Sequence, residues 1–359
     1  MLAEELSNTR NSLCLSEGRW LSLRRMTRRA GLVVAVLAVL LAAALGAALA
    51  AAQPVPPGSI YVALGDSVAA GHGLGAPTDQ SDAEVCHRSQ LAYPALLGQS
   101  PFFANPAGAA GSVACSGAVS ANLLDVPQSI GPLALTPQLA VVRALGLAPA
   151  TVTITAGAND VAFVAVLEAC LRQPGAGPSG PCAQQASPLL ARLQALHATL
   201  TRLIAEVSVL PGPQRILVTG YYDPLPGDLT NIGSALACGV LGTDVRKAQL
   251  DGDFAILEAY LRLLNGVIAH AAGAAGAQFV DLSTVMDGHR LCSRSPYVFP
   301  IVPRTIADGS AIHPNAAGHV AIAHALVAAV GGAPEAATGP EPEEGFSLQG
   351  LRDELTLRP

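Results

Sequence analysis

The chain has 359 residues, of which 51% are hydrophobic and only 13% charged, and its net charge is −6. That much apolar material excludes an intrinsically disordered chain, and the acidic balance leaves no basic footprint for a nucleic-acid partner. The length is sufficient to bury a substantial core in one large domain or two small ones.

Residues 1–52 read as an export signal. Arg24, Arg25, Arg28 and Arg29 form a basic cluster, residues 30–52 are wholly Ala, Val, Leu and Gly, and "ALAAAQP" offers small residues at a cleavage-site spacing. Met26 is an alternative start, which would make residues 1–25 an upstream extension. The apolar run is also long enough to span a bilayer, so an uncleaved anchor is the other reading. Removing the segment takes away six arginines and three glutamates, which leaves the rest more acidic still.

Six cysteines follow, Cys86, Cys115, Cys170, Cys182, Cys238 and Cys292. An even number in an exported chain predicts disulfides, and the Gly/Pro-rich "QPGAGPSGP" between Cys170 and Cys182 suggests a local staple. No C-x-x-C pair and no Cys/His cluster with zinc spacing occurs, so no metal is expected.

Short apolar runs rich in β-branched residues, bounded by Gly, Pro or Asp, predict buried parallel strands at Ile60–Leu64, Thr151–Thr155, Arg215–Thr219 and Gln278–Leu282, with a weaker one near Phe102–Asn105. Between them, Leu189, Leu193, Leu196, Leu200, Leu203 and Val207 recur at helical spacing, as do Phe254, Leu257, Leu261, Leu264 and Ile268. A last helix is predicted after Pro314, with Pro314 at a first-turn position and an apolar face of Val320, Ala323, Val327 and Val330. Alternating strands and helices imply a doubly wound, flavodoxin-like α/β/α sandwich with a central, mainly parallel sheet of about five strands, whose function gathers at the carboxyl ends of the strands. The folded domain is expected over residues 53–331, followed by a disordered acidic tail over 332–359.

Gly65-Asp66-Ser67 falls where the first strand ends. There the serine is either a nucleophile held above the sheet or part of a helix cap. Gly71, Gly73 and Ala76 fit a loose dinucleotide-loop pattern, but they lie past the strand end and Pro77, not a helix, follows them. A serine becomes a nucleophile only with a base, an orienter for that base and donors for the oxyanion. Downstream, "ACSGA" offers the Gly117 amide, "TAGAND" puts Asn159 just after a strand, and "SAIHPN" puts His313 in a loop before the last helix. Asp66 and Asp160 are expected to cap or bind loop backbone. The other histidines, His72 and His319 among them, are expected to be solvated or satisfied in the core.

Gly65-Asp66-Ser67, Gly117, Gly157-Ala158-Asn159-Asp160 and His313-Pro314-Asn315, in that order, resemble the SGNH (GDSL) hydrolase family over residues 59–330, and most of all its secreted actinobacterial lipase and esterase branch. The resemblance implies Ser67 as nucleophile, His313 as general base and then acid, and oxyanion donors from Ser67, Gly117 and Asn159. It also implies disulfides Cys86–Cys115, Cys170–Cys182 and Cys238–Cys292. One position departs from the family: three residues before His313 stands Ser310 rather than aspartate. Either Asp308 reaches the imidazole through a bulged loop, or a backbone carbonyl near Ser310 or Ala311 orients it. The expected protein is thus a secreted, cofactor-free, monomeric serine esterase or lipase acting on a small-molecule or lipid ester. A membrane-anchored esterase or phospholipase, and a catalytically silent binding module on the same fold, are the alternatives.

Overall fold

Four of the apolar runs form one all-parallel sheet. The computed structural model describes residues 60–78, 83–100, 103, 111–172, 180–212, 215–226 and 253–331, all within the unit Pro54–Pro359. The expected leader, the acidic tail and Cys238 lie outside the described residues.

In chain order the elements are β1 (Ile60–Gly65), α1 (Ser67–Ala70), α2 (Ala83–Cys86), α3 (Tyr93–Leu97), α4 (Ser120–Leu124), the small hairpin β2 (Gln128–Ile130) and β3 (Leu133–Leu135), and α5 (Gln138–Ala144). There follow β4 (Pro149–Thr155), α6 (Phe163–Arg172), α7 (Pro181–Ala186), α8 (Leu189–Ser208), β5 (Arg215–Thr219), α9 (Asp253–Ala274), β6 (Gln278–Val280), α10 (Pro303–Ala307) and α11 (Ala316–Gly331). The sheet order is β1-β4-β5-β6, every pair parallel. Buried β-branched runs make such strands because their side chains pack on both faces. Helix α8 packs on α9 and α4, and α11 on α3, so the helices form two separate groups about the sheet.

A fifth segment runs beside β1, and the weaker strand expected near Phe102–Asn105 lies, apart from Phe103, outside the described residues. Phe103 sits in a turn, packed edge-on to Tyr61 at 5.3 Å, and the rest of the stretch around it is not described. Residues 111–115 run beside β1: Ala63 N donates to Gly111 O, Val113 N to Ala63 O and Cys115 N to Gly65 O, each at about 3.0 Å, with one parallel bridge, Ala63 to Ser112. Small residues there bring the chain close to β1, where aromatic ones would not.

The last helix also differs from expectation. Pro314 lies ahead of it, and Asn315 caps it by accepting from Gly318 N at 3.2 Å. Its buried stripe is Gly318, His319, Ile322, Ala323, Leu326 and Val330, whereas Val320 is 42% exposed. Alanine and valine on every side of this helix leave its periodicity ambiguous. The buried stripe includes a polar contact, the Tyr93 N–H donating to the fully buried His319 Nδ1 at 3.1 Å.

Two of the expected disulfides are present, Cys86–Cys115 and Cys170–Cys182. Cys292 is disulfide-bonded. The first closes 29 residues of chain, for which loss of unfolded-state entropy stabilises by about 3.5 kcal/mol. Replacing Cys86 and Cys115 together by serine is therefore expected to lower the thermal midpoint by roughly 10 °C, measured by thermal unfolding. An unchanged midpoint would show that this bridge does not constrain the unfolded chain.

Candidate active site

The end of β1 is built to hold a turn in a confined place. A Cβ on Gly65 would lie 2.6 Å from Ala69 Cβ and 2.7 Å from Thr155 O, so only glycine lets the chain turn here against α1 and β4. The Gln138 carboxamide grips the same residue from the other side: its Oε1 accepts from Gly65 N and its Nε2 donates to Gly65 O, both at 2.8 Å. Asp66 then caps α1, accepting from Val68 N at 2.9 Å. Ser67 opens that helix at the floor of a cleft of about 270 Å³.

His313 arrives from 246 positions away, and its Nε2 lies 2.7 Å from Ser67 Oγ. Its Nδ1 lies 3.2 Å from the Ala311 carbonyl. A carbonyl only accepts, so Nδ1 carries the proton and Nε2 presents a lone pair to the Ser67 hydroxyl. The Asp308 carboxylate turns away, to the Ser310 amide at 2.9 Å and the Ser310 hydroxyl at 2.6 Å. The group behind His313 is thus a backbone carbonyl, and Asp308 shapes the turn that presents it. Dense protein surroundings, and secondarily the charge His72 can carry, push the His313 imidazole down to about 4.

The backbone at Ile312 is left-handed, with φ +63°, an unfavourable conformation for a β-branched residue. It is held from both sides: Ile312 N donates to Phe299 O at 3.1 Å, and the Tyr222 hydroxyl donates to Ile312 O at 3.0 Å. The neighbouring Tyr221 donates to Asp66 Oδ2 at 2.6 Å and accepts from Ala158 N at 3.1 Å. Burial pushes the Asp66 carboxyl up to about 7, while its hydrogen bonds oppose that rise.

Gly117, at φ +79°, lines the same cleft. Among the described residues its amide, like that of Ser67, has no intramolecular acceptor. The Asn159 side chain donates to Ala118 O at 2.9 Å, which uses one of its two amide hydrogens. Asp160 binds the Ser120 amide at 2.9 Å and the Ser120 hydroxyl at 2.5 Å, so both flanking aspartates hold loop backbone as expected. Val68, Phe163, Tyr222, Leu261, Leu264 and Ile312 supply apolar wall to the cleft.

The cleft therefore unites Ser67, Gly117, Asn159 and His313. It also contains residues that sequence reasoning passed over: His72, set aside with the scattered histidines, and Tyr221 and Tyr222, which no motif marks. Their partners lie 44 to 236 positions away, or in the case of the two tyrosines 90 and 155, so no local pattern could reveal them.

Comparison with known proteins bears on what such a site does. A model of the GDSL-like lipase/acylhydrolase family matches residues 63–321. A lipase of Streptomyces rimosus is 28% identical over 294 residues, which is 82% of this chain and 95% of that protein. Lipase 1 of Streptomyces coelicolor is 30% identical over 268 residues, covering 75% of this chain and 85% of the relative. Among solved structures, an extracellular lipase from Streptomyces rimosus superposes with a TM-score of 0.55 at 25% identity, over 75% of this chain and 97% of that one. A phospholipase A1 from Streptomyces albidoflavus gives 0.52 at 26%, over 75% and 98%.

Proposed function

The chain belongs to the GDSL-like lipase/acylhydrolase family and is an ester hydrolase of that kind, and from that premise we propose that it works through an acyl-enzyme on Ser67, with His313 as its base and no carboxylate behind the base. The observation that supports this reading best is the 2.7 Å contact between Ser67 Oγ and His313 Nε2, with the Ala311 carbonyl on the far nitrogen.

In this scheme Ser67 Oγ attacks the ester carbonyl carbon as its proton passes to His313 Nε2. The negative charge that develops on the carbonyl oxygen is received by the Ser67 and Gly117 amides and by the remaining hydrogen of the Asn159 amide. His313 then returns the proton to the departing alcohol. Water attacks the acyl carbon with His313 again taking a proton, the bond from that carbon to Ser67 Oγ breaks, His313 returns the proton to Oγ, and the acid leaves. The Ala311 carbonyl holds the imidazole tautomer, which is the orienting part of a triad aspartate's role, but contributes less to stabilising the imidazolium. The apolar wall of the cleft suits an acyl chain. Every group in the scheme comes from one chain, so a monomer suffices. Export of the mature domain is part of the same proposal, supported by the two disulfides and by the extracellular lipase among its structural relatives.

A fluorophosphonate probe tests the scheme. On protein recovered from culture medium it is expected to modify Ser67 alone, at one label per chain, and to abolish hydrolysis of p-nitrophenyl esters. Labelling elsewhere, or activity surviving full labelling, would overturn it. The pH profile gives an independent reading. His313 must be neutral to accept the proton, so kcat/KM should fall on the acid side around pH 4 instead of near the ordinary imidazole value of about 6.5. A phospholipid compared with a chain-length series of p-nitrophenyl esters would locate the preferred ester.

A further inference from the structure

We propose that His72 is a positioning residue of this site, tying the loops that carry the nucleophile, the oxyanion donor and the base into one unit. The inference rests on the Ser67–His313 pairing proposed above and extends it to a residue outside every motif of the chain.

Three contacts, one to each loop, define the role. The His72 amide donates to the carbonyl of Ser67 itself at 3.0 Å. Its Nδ1 lies 2.6 Å from Ser116 Oγ, immediately before Gly117. Its Nε2 lies 2.7 Å from the Asp308 carbonyl, at the start of the loop that ends in His313. The carbonyl fixes the proton on Nε2, so in the neutral ring Nδ1 accepts from the Ser116 hydroxyl. Should the ring become charged, Nδ1 donates to the same hydroxyl and the bridge survives with one bond reversed.

The Ser67 carbonyl also accepts from Gly71 N at 3.0 Å, so the side chain of His72 matters most at the other two loops. Ser116 is fixed through its backbone, N to Cys86 O at 3.0 Å and O from Gln128 Nε2 at 2.8 Å, and its side chain supplies the link across the cleft. Asp308 closes α10 through its amide, which donates to Arg304 O at 3.0 Å, and its carboxylate holds Ser310. Its carbonyl is the group left for His72. The Gly73 side of the packing is tight, since a Cβ there would lie 2.5 Å from Ser310 Cβ.

The ring of His72 also stacks on that of His313, with centroids 5.1 Å apart and planes at 29°. A cation on His72 opposes formation of the His313 imidazolium. The other titratable groups facing His72 are His87, whose ring centroid is 4.2 Å away, and Asp308, itself influenced by Arg304. His72 thus acts on His313 in two separable ways, by hydrogen bonds that set geometry and by charge that sets basicity.

Four variants separate these effects. His72→Phe keeps a flat ring but neither side-chain hydrogen bond. His72→Gln can still donate to Asp308 O. Ser116→Ala removes one bond and keeps the imidazole, and His72→Phe/Ser116→Ala tests their coupling. His72→Phe is expected to lower kcat on the order of tenfold with KM within about twofold, Ser116→Ala to lower it less, and His72→Gln to recover part of the loss. The double variant should be no worse than His72→Phe alone, because the two share one bond. The acid limb of kcat/KM should move to higher pH in both His72 variants and stay in place in Ser116→Ala. Thermal midpoint and fluorophosphonate titration of Ser67 count the folded sites in each preparation.

Wild-type kcat and an unmoved acid limb in His72→Phe would overturn the proposal. So would a loss of activity that merely tracks the fraction of folded sites. Failure of the unmutated enzyme to be labelled at Ser67 would overturn the catalytic pairing beneath it, which is a separate result.

Discussion

Alanine at position 67 is expected to reduce kcat for a short p-nitrophenyl ester by at least about 10⁴-fold, with KM little changed. The apolar wall of the cleft is untouched by the substitution, so binding persists while the covalent step is lost. His313→Ala should cost nearly as much. The double variant should be scarcely worse than either single one, because a nucleophile without its base and a base without its nucleophile are equally idle. Asp308→Asn should fall far short of these losses, since the Asp308 carboxylate contacts Ser310 and not the imidazole. Single-turnover and steady-state assays of purified protein check all four. More than a tenth of wild-type activity in Ser67→Ala, or a collapse in Asp308→Asn equal to that in His313→Ala, would refute the dyad.

The second large effect is on the fold. Gly318 lies in α11, where exchange of glycine for alanine ordinarily stabilises a helix by about 1 kcal/mol. Here a Cβ would stand 2.2 Å from the Tyr297 carbonyl oxygen, 3.0 Å from Pro314 Cβ and 3.2 Å from Met286 Cε. The carbonyl cannot step aside cheaply. It accepts from Asn315 N at 2.9 Å, Asn315 Nδ2 donates to Pro296 O at 2.6 Å, and Phe299 N donates to His313 O at 2.8 Å. Moving Tyr297 would therefore drag the segment that sets His313. Gly318→Ala is expected to destabilise by on the order of 3 kcal/mol, which lowers the midpoint by roughly 5–10 °C, and to reduce kcat in the fraction that remains folded. Thermal unfolding and site-normalised kinetics measure the two effects, and a raised midpoint would show that helix propensity outweighs the contact.

Much of this site was legible in advance because its chemistry is local. Ser67 and Asn159 stand just beyond strand ends, where a polar side chain is exposed at the sheet's carboxyl edge, and His313 lies just ahead of a helix. Asp66 and Asp160 were readable as loop-binding groups because short carboxylates beside a turn find amides close by. The long stripes of α8 and α9 were readable because large aliphatic residues recur there against a less apolar background. In α11 that contrast is missing. Val320 had the chemistry of a core residue, yet the buried stripe turned to include His319, whose partner Tyr93 N lies 226 positions away.

The residues passed over share one property, that their importance resides in a distant partner. Nothing next to His72 distinguishes it from His87 or His289, and nothing next to Tyr222 announces a bond to Ile312. Gln138 reads as an ordinary residue at a helix start, yet its carboxamide holds Gly65, two residues ahead of Ser67.

By itself, then, the order of residues determined which strands and helices form over most of the described chain, since hydrophobic period and turn chemistry act over a few residues. It also marked Ser67, His313, Gly117 and Asn159 as the candidates for the roles proposed for them. Only the tertiary structure decided that a carbonyl and not Asp308 stands behind His313, that His72 joins three loops, and that a methyl group on Gly318 strikes backbone. Those outcomes depend on where segments up to 246 positions apart are brought by the packing of a shared core, and at that range ångström-scale closure belongs to the whole fold, not to any stretch of it.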